Sequence, residues 1–414
     1  MKYPIKYFCG SGLTRFNKLF IKNAFELFVK ERPITVPITG ETGIDGLLID
    51  FNCGLRLQIP RGNWHARITD SNGVIFFDGD VERVTLISME KYYIEWEIAL
   101  WLDGEPAFYH QFDPRGQKVH FNFAQPLLGD NVAMLPYAEA FRRAFDCEVT
   151  CKVFDVFDGI LENYYPQLRP SKALPDDSYA CYYFSGWMNL PIATPADMRS
   201  MPMELFGRAI LNTPKIRPSK IIYRPTKPRL IKEKYVCIAV QASYTPKCWF
   251  APDGWDQVIK HLKALGYRVL CIDKNRKSTN YGLTVEMPEG VEDLSGNYNL
   301  IDRVNQLAYA DFFIGLSSGL SWLAWAVDIP VVMISGITEY WYEFETAYRV
   351  SNQTVCHGCF NSLAVDPLKI LDCPKYKGTD RAYECSKSIS ARQVIDAIEQ
   401  LIADNRLGVR HETV

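Results

Sequence analysis

The chain has 414 residues, 48% of them hydrophobic and 23% charged, and a formal net charge of −2. That length supports two or three domains with real cores, and that composition excludes a disordered chain. A near-neutral balance gives no global attraction to nucleic acid or anionic lipid, and no apolar run is long enough to span a membrane as a helix.

Residues 1–30 mix Lys and Arg with Phe and Leu, and Asn17, Lys18, Lys22, Asn23 and Glu26 interrupt any apolar stretch of a secretory leader. A cytoplasmic location is therefore expected. The twelve cysteines then read as buried thiols or metal ligands rather than disulfides. Residues 33–118 read as β structure. The runs 47–50, 55–59, 64–68 and 94–98 are strand-like, and Asn52-Cys53-Gly54, Asn72-Gly73 and Asp103-Gly104 supply turns between them. Short strands at this spacing predict a small sandwich or barrel within residues 1–118. Asp78-Gly79-Asp80 has the Asp-x-Asp form that metal-dependent sugar transferases of another fold use, but Asp-Gly is a hairpin signal and predicts a turn.

From Val119 the pattern becomes α/β. A strand over 119–124, a loop ending in Gly129-Asp130, a helix over 134–141 and a strand over 149–154 make a βαβ unit within residues 119–230. Residues 214–228 are Pro-rich and basic and read as a linker. A second α/β domain over 231–345 opens with the strand at 235–240. It continues through helices around 255–265, 300–309 and 321–327 and strands at 267–272, 312–314 and 330–334. Two such halves across a linker predict a cleft at the carboxyl ends of their strands, where ligands bind. Residues 346–390 are irregular and Cys-rich, and 391–414 hold an amphipathic helix with Val394, Ile395, Ile398, Leu401 and Ile402 on one side.

Five features could carry chemistry. Cys356, Cys359, Cys373 and Cys385 form a Cys-x2-Cys-x13-Cys-x11-Cys series. Two thiolates from one tight turn lower the closure entropy of a tetrahedral site, and four ligands leave no open position, so the role is structural. Spacing alone does not separate zinc from iron. Asp130 ends a strand-to-helix loop, where it is either a helix cap or a general base. A place at a helix start should lower its pKa and weaken it as a base. Ser243-Tyr244-Thr245-Pro246-Lys247 follows a strand, and hydroxyls with one ammonium suit a diphosphate. Ser317-Ser318-Gly319-Leu320 joins a strand to an apolar helix, whose free N–H groups suit phosphate, with Gly319 allowing close approach of a ligand. Asp273, at a strand end, is placed for ribose hydroxyls.

Leu127-Leu128-Gly129-Asp130, Lys247-x-Trp249 with Gly254-Trp255, Ser317-Ser318-Gly319-Leu320 and Ala326-Val327-Asp328-Ile329-Pro330 resemble the heptosyltransferases of lipopolysaccharide core synthesis. With the cysteine series and the β-rich N-terminal part, they are more similar still to the bacterial autotransporter heptosyltransferase family. The resemblance runs from about residue 45 to the end. It implies a GT-B α/β fold of two Rossmann-like domains facing a cleft, an N-terminal β domain and a four-cysteine finger. It implies an inverting transfer from ADP-heptose to serines of an autotransporter adhesin passenger, without a catalytic metal. Asp130 would be the base, Lys247 the phosphate lysine, and residues 317–320 the nucleotide loop. Leu127, Leu128, Gly129, Ser243, Thr245, Asp273, Ser295 and Gly296 complete the expected substrate-binding set. The four cysteines would hold one structural ferric iron per chain, with zinc as the alternative, in a dodecamer. Rival expectations are the same fold acting on a lipid-linked or small acceptor, and a metal-stapled scaffold with no catalysis.

Overall fold

The computed structural model describes residues 3–10, 37–123, 127–184, 194–280, 282–366 and 372–406. In chain order the N-terminal half contains β1 (Ile5–Phe8), β2 (Leu48–Asn52), β3 (Arg56–Ile59), β4 (Trp64–Asp70), β5 (Ile75–Val81), β6 (Val84–Ser88), β7 (Trp96–Leu102) and β8 (Glu105–Gln111). Then come β9 (Lys118–Phe123), α1 (Leu128–Phe145), β10 (Glu148–Lys152), α2 (Asp158–Tyr164), β11 (Arg169–Pro170), β12 (Ala180–Phe184) and α3 (Phe206–Leu211).

The alternation in β4 and β7 works as period two requires. Trp64, Ala66 and Ile68 are buried with Trp96, Ile98 and Leu100, while His65 and Arg67 face outward. These strands form a four-stranded antiparallel sheet in the order β5-β4-β7-β8. The expected self-contained sandwich or barrel is not what the remaining strands make. They extend the α/β sheet instead, giving eight strands in the order β1-β6-β3-β2-β12-β9-β10-β11. Strand β2 runs parallel to β12, and Phe51 N–H donates to the Tyr179 carbonyl at 2.9 Å. The break expected at residue 118 therefore lies within one continuous sheet. Alternation tells which face of a strand is buried; it does not tell which strand lies beside it. Asp78-Gly79-Asp80 is also no turn. It sits inside β5, paired with Arg67, Ala66 and His65 of β4, and both carboxylates bond His65, at 2.9 and 2.7 Å.

The C-terminal half contains β13 (Tyr235–Ile238), α4 (Gly254–Ala264), β14 (Arg268–Cys271), β15 (Lys277–Asn280), β16 (Leu283–Glu286), β17 (Glu292–Asp293), α5 (Leu300–Leu307), β18 (Phe313–Leu316), α6 (Gly319–Val327), β19 (Val331–Ile334), β20 (Arg349–Val350), α7 (Glu384–Lys387) and α8 (Ala391–Arg406). Its six-stranded sheet, β17-β14-β13-β18-β19-β20, is parallel throughout. Both faces are covered, as a parallel sheet demands. Val236, Ile238, Val269, Ile314 and Val332 pack on one side with Val258 and Leu262 of α4 and Val394, Ile398 and Leu401 of α8. Cys237, Ala239, Leu270, Phe313 and Met333 face the other way and join the core shared with the N-terminal half. Each of the fully buried α8 side chains contributes ~1.5–3 kcal/mol by leaving water.

The connecting stretch 212–234 carries no regular element but is not loose. Tyr223 is buried, its N–H donates to the Ala326 carbonyl at 2.8 Å, and its ring stacks on Tyr164 at 4.4 Å. Among the described residues no helix is long and apolar enough to cross a membrane.

Candidate active site

Between the two halves lies a cleft of about 580 Å³. It opens where parallel strands end: β9 leads to α1, β13 to the loop 239–248, and β18 to α6. Asp130, Lys247, Ser317, Ser318, Gly319 and Leu320 all line it.

Helix α1 starts at Leu128, six residues before the expected helix at 134, which places Asp130 in its first turn rather than at the cap. The cap residue is Leu127, which has no side-chain oxygen to offer. Leu127 therefore supplies no side-chain acceptor to the first N–H groups of α1. Asp130 feels two opposed influences. The helix start and nearby Lys247 favour the carboxylate, while burial disfavours it. Burial is the larger, and the carboxyl is pushed up to about 6, with Lys247 opposing it. The sequence expectation of a lowered pKa is corrected here, because it omitted desolvation.

Lys247 ends a 3₁₀ turn over Thr245–Lys247. Burial pushes its ammonium pKa down, and Glu343 and Asp130 partly restore it. Asp130 and Lys247 thus lie within electrostatic reach of one another across one cleft. The loop holding Lys247 is shaped by Asp273. The Asp273 carboxylate accepts the N–H of Val240 at 2.8 Å and of Gln241 at 3.2 Å. Burial raises that carboxyl to about 6. Asp273 lines the cleft, and each of its oxygens also accepts a backbone N–H, so it anchors the loop.

At the start of α6, Ser318 is the cap residue, yet its side chain makes no capping bond. Ser317 is buried, and its hydroxyl donates to Glu343. Arg349 donates to the other Glu343 oxygen at 2.9 Å. Glu343 is a cleft residue that sequence reasoning missed, together with Tyr342, Phe360 and Arg199. The signal available was one acid inside an apolar, aromatic run, Trp341-Tyr342-Glu343-Phe344.

Two glycines let the two helix starts meet. A Cβ on Gly129 would stand 2.7 Å from the Trp322 ring, and a Cβ on Gly319 would stand 2.5 Å from Leu128. Gly319 is thus small because the opposite helix touches it, which sequence reasoning had attributed to ligand approach. Three expected substrate contacts lie elsewhere. Thr245 is 1% exposed and is not in the cleft wall. Ser295 and Gly296 belong to the turn after β17, where Ser295 N–H bonds Asp293 at 2.8 Å and the Gly296 carbonyl accepts from Arg303. Both are outside the cleft lining, because Arg303 folds that turn onto the sheet end. Leu127, Leu128, Gly129 and Ser243 do line it.

The four cysteines of the C-terminal series are neighbours. The thiols of Cys359 and Cys385 are each pushed up to about 12, first by burial and then by other members of the quartet. Gly358 takes the left-handed conformation, φ +65°, that turns Cys356 toward Cys359. Two thiols on such a turn, with those of Cys373 and Cys385 beside them, suit a thiophilic ion by donor chemistry. Among the described residues, no three His, Cys, Asp or Glu side chains stand in metal-holding geometry.

Residues 43–104 match the family described as the N-terminal domain of glycosyltransferase TibC, and residues 211–359 match glycosyltransferase family 9, the heptosyltransferases. An autotransporter heptosyltransferase of Citrobacter rodentium is 38% identical over 379 residues, 88% of this chain and 91% of the relative. The autotransporter heptosyltransferase TibC of Escherichia coli is 36% identical, with 92% and 94% covered. The TibC crystal structure, described as a dodecameric iron-containing heptosyltransferase in complex with ADP-D-beta-D-heptose, matches with a TM-score of 0.83. Sequence identity there is 34%, over 90% of this chain and 99% of that one. A relative from Burkholderia thailandensis, 29% identical over 87% of each chain, is named an inactive autotransporter heptosyltransferase. Similarity of sequence therefore leaves catalysis to be argued from the side chains present.

Proposed function

Because this chain belongs to the autotransporter heptosyltransferases, family 9 glycosyltransferases with a GT-B-like fold and an added N-terminal domain of mostly sheet, we propose that it moves heptose from ADP-heptose to serine hydroxyls of an autotransporter adhesin. The observation that carries this reading is the pairing of one carboxylate, Asp130, with one ammonium, Lys247, in a single cleft between the two lobes.

The chemistry is a single displacement. The Asp130 carboxylate takes the proton of the acceptor hydroxyl as its oxygen attacks the anomeric carbon. The bond from that carbon to the diphosphate breaks, and its electron pair leaves with ADP. Attack opposite the leaving group inverts the anomeric centre. Lys247 and the N–H groups at the start of α6 stabilise the negative charge on ADP. A carboxyl near 6 suits this role, since it is ionised at neutral pH yet more basic than an ordinary aspartate.

Cys356, Cys359, Cys373 and Cys385 would hold iron as a structural crosslink, a role supported by the donor set and by the iron-containing relative. A cytoplasmic setting, where thiols stay reduced, would keep these four available to the ion. The dodecameric relative supports the same assembly here.

The test uses purified acceptor passenger and ADP-heptose with the Asp130→Asn and Lys247→Ala variants. Loss of the general base should lower turnover by about 10²–10⁴-fold. Wild-type turnover in either variant removes the role given to that residue.

A further inference from the structure

Lys247 carries the charge that the donor's diphosphate needs, and Glu343 and Asp130 act on it through space rather than by direct contact. Among the described residues it forms no ion pair. Its Nζ lies 4.9 Å from the Phe360 ring centroid and 6.0 Å from that of Tyr342. An aromatic face attracts an ammonium through its quadrupole without neutralising it. A carboxylate in direct contact would cancel the charge before a diphosphate arrived. Phe360 also touches Tyr342, with ring centroids 5.0 Å apart, and Tyr244 at 6.4 Å, so it closes an aromatic wall around this end of the cleft.

The cysteine knuckle sets where Phe360 stands. Phe360 directly follows Cys359 in the turn Cys359–Asn361. The knuckle is fastened to the loop after β19, since Gly358 N–H donates to the Gly336 carbonyl at 3.1 Å and Phe360 N–H to that of Ile337 at 2.9 Å. A Cβ on Gly358 would fall 1.9 Å from Glu339 Oε1. Asn361, 7% exposed, accepts from Glu339 N–H and donates to the Arg199 carbonyl, both at 3.0 Å. Arg199 belongs to the other wall of the cleft, and its guanidinium donates back to the Ser362 and Val365 carbonyls at 3.1 and 2.8 Å. The knuckle is thereby tied to both sides of the cleft, with Phe360 projecting into it.

We infer from this geometry that Phe360 is a positioning residue, held by the cysteine knuckle, which keeps the Lys247 ammonium at the site of the donor diphosphate. The inference rests on the donor reading above and adds that the knuckle serves the active site as well as the fold.

Calorimetry on the full chain with ADP and with adenosine, which lacks the diphosphate, tests it. Phe360→Ala should weaken ADP binding about tenfold and leave adenosine unchanged, the size of a lost desolvated cation–π contact. Phe360→Tyr should restore ADP binding, whereas Phe360→Leu, similar in bulk but without a π face, should not. In a Lys247→Met background, Phe360→Leu should have no further effect on ADP. Iron content and the urea midpoint identify a variant that has lost its fold. If Phe360→Ala has done so, the comparison of Leu with Tyr decides. Unchanged ADP affinity in Phe360→Leu, or an equal loss for adenosine, overturns this inference and leaves the donor reading standing. Absence of ADP binding by the wild-type chain overturns both.

Discussion

At Asp130 a helix start and a buried position act against each other, and the sum leaves the carboxyl near 6. Two predictions follow for this side chain. Transfer should fall along an acid limb centred at about pH 6 as the base takes up its proton, checked by the pH profile of kcat/KM, which reports the free enzyme. The second concerns stability. The folded-state pKa is raised, so the protonated form is the one the fold favours. Its contribution is full below the ordinary value of 3.8 and is lost as pH rises through about 6. Asp130→Asn should therefore stabilise the protein at neutral pH by up to about 3 kcal/mol and by little below pH 4, measured by urea unfolding. Substitution of Glu343, by contrast, should destabilise the protein. Its carboxylate serves both Ser317 and Arg349. Glu343→Ala leaves a buried guanidinium unpaired, and a loss of about 3–5 kcal/mol is expected in the same measurement.

Among the elements, α1 and α6 decide the geometry, because they bring two helix starts to one cleft from opposite lobes. Their approach depends on Gly129 and Gly319. Gly319→Ala should cost about 1–3 kcal/mol by overpacking and should weaken ADP binding, since relief requires the helices to separate. Unfolding curves and calorimetry read the two effects. This is also where the sequence was most and least legible. Each of the three loops after β9, β13 and β18 carries an acid, a lysine or serines directly after an apolar strand, so Asp130, Lys247 and residues 317–320 could be found. The true start of α1 could not be read, since Gly129 lowers helix propensity and Leu127 lacks a capping side chain. Thr245, Ser295 and Gly296 have suitable chemistry, but backbone hydrogen bonds and burial decide where they point. Glu343 and Phe360 enter the cleft from an irregular region whose path no periodicity encodes. The β-rich N-terminal part was legible as strands and not as a sheet order, because β2 finds its neighbour at β12, far along the chain.

For the whole molecule, the knuckle at Cys356–Cys359 is tied to both lobes, so an ion held there would be coupled to the cleft. Cys356→Ser or Cys373→Ser should lower iron content and solubility, because metal binding and local folding are linked. Elemental analysis from iron-replete cells checks the ion, with iron expected and zinc alone contradicting that part. The account as a whole depends on an acceptor alcohol and a departing diphosphate meeting between Asp130 and Lys247. Mass spectrometry of an autotransporter passenger co-expressed with this chain tests that most directly. Serine peptides carrying heptose-sized increments with the wild-type chain, and none with Asp130→Asn, are the predicted result. Equal modification by the two, or a passenger left bare by the wild-type chain, would contradict it.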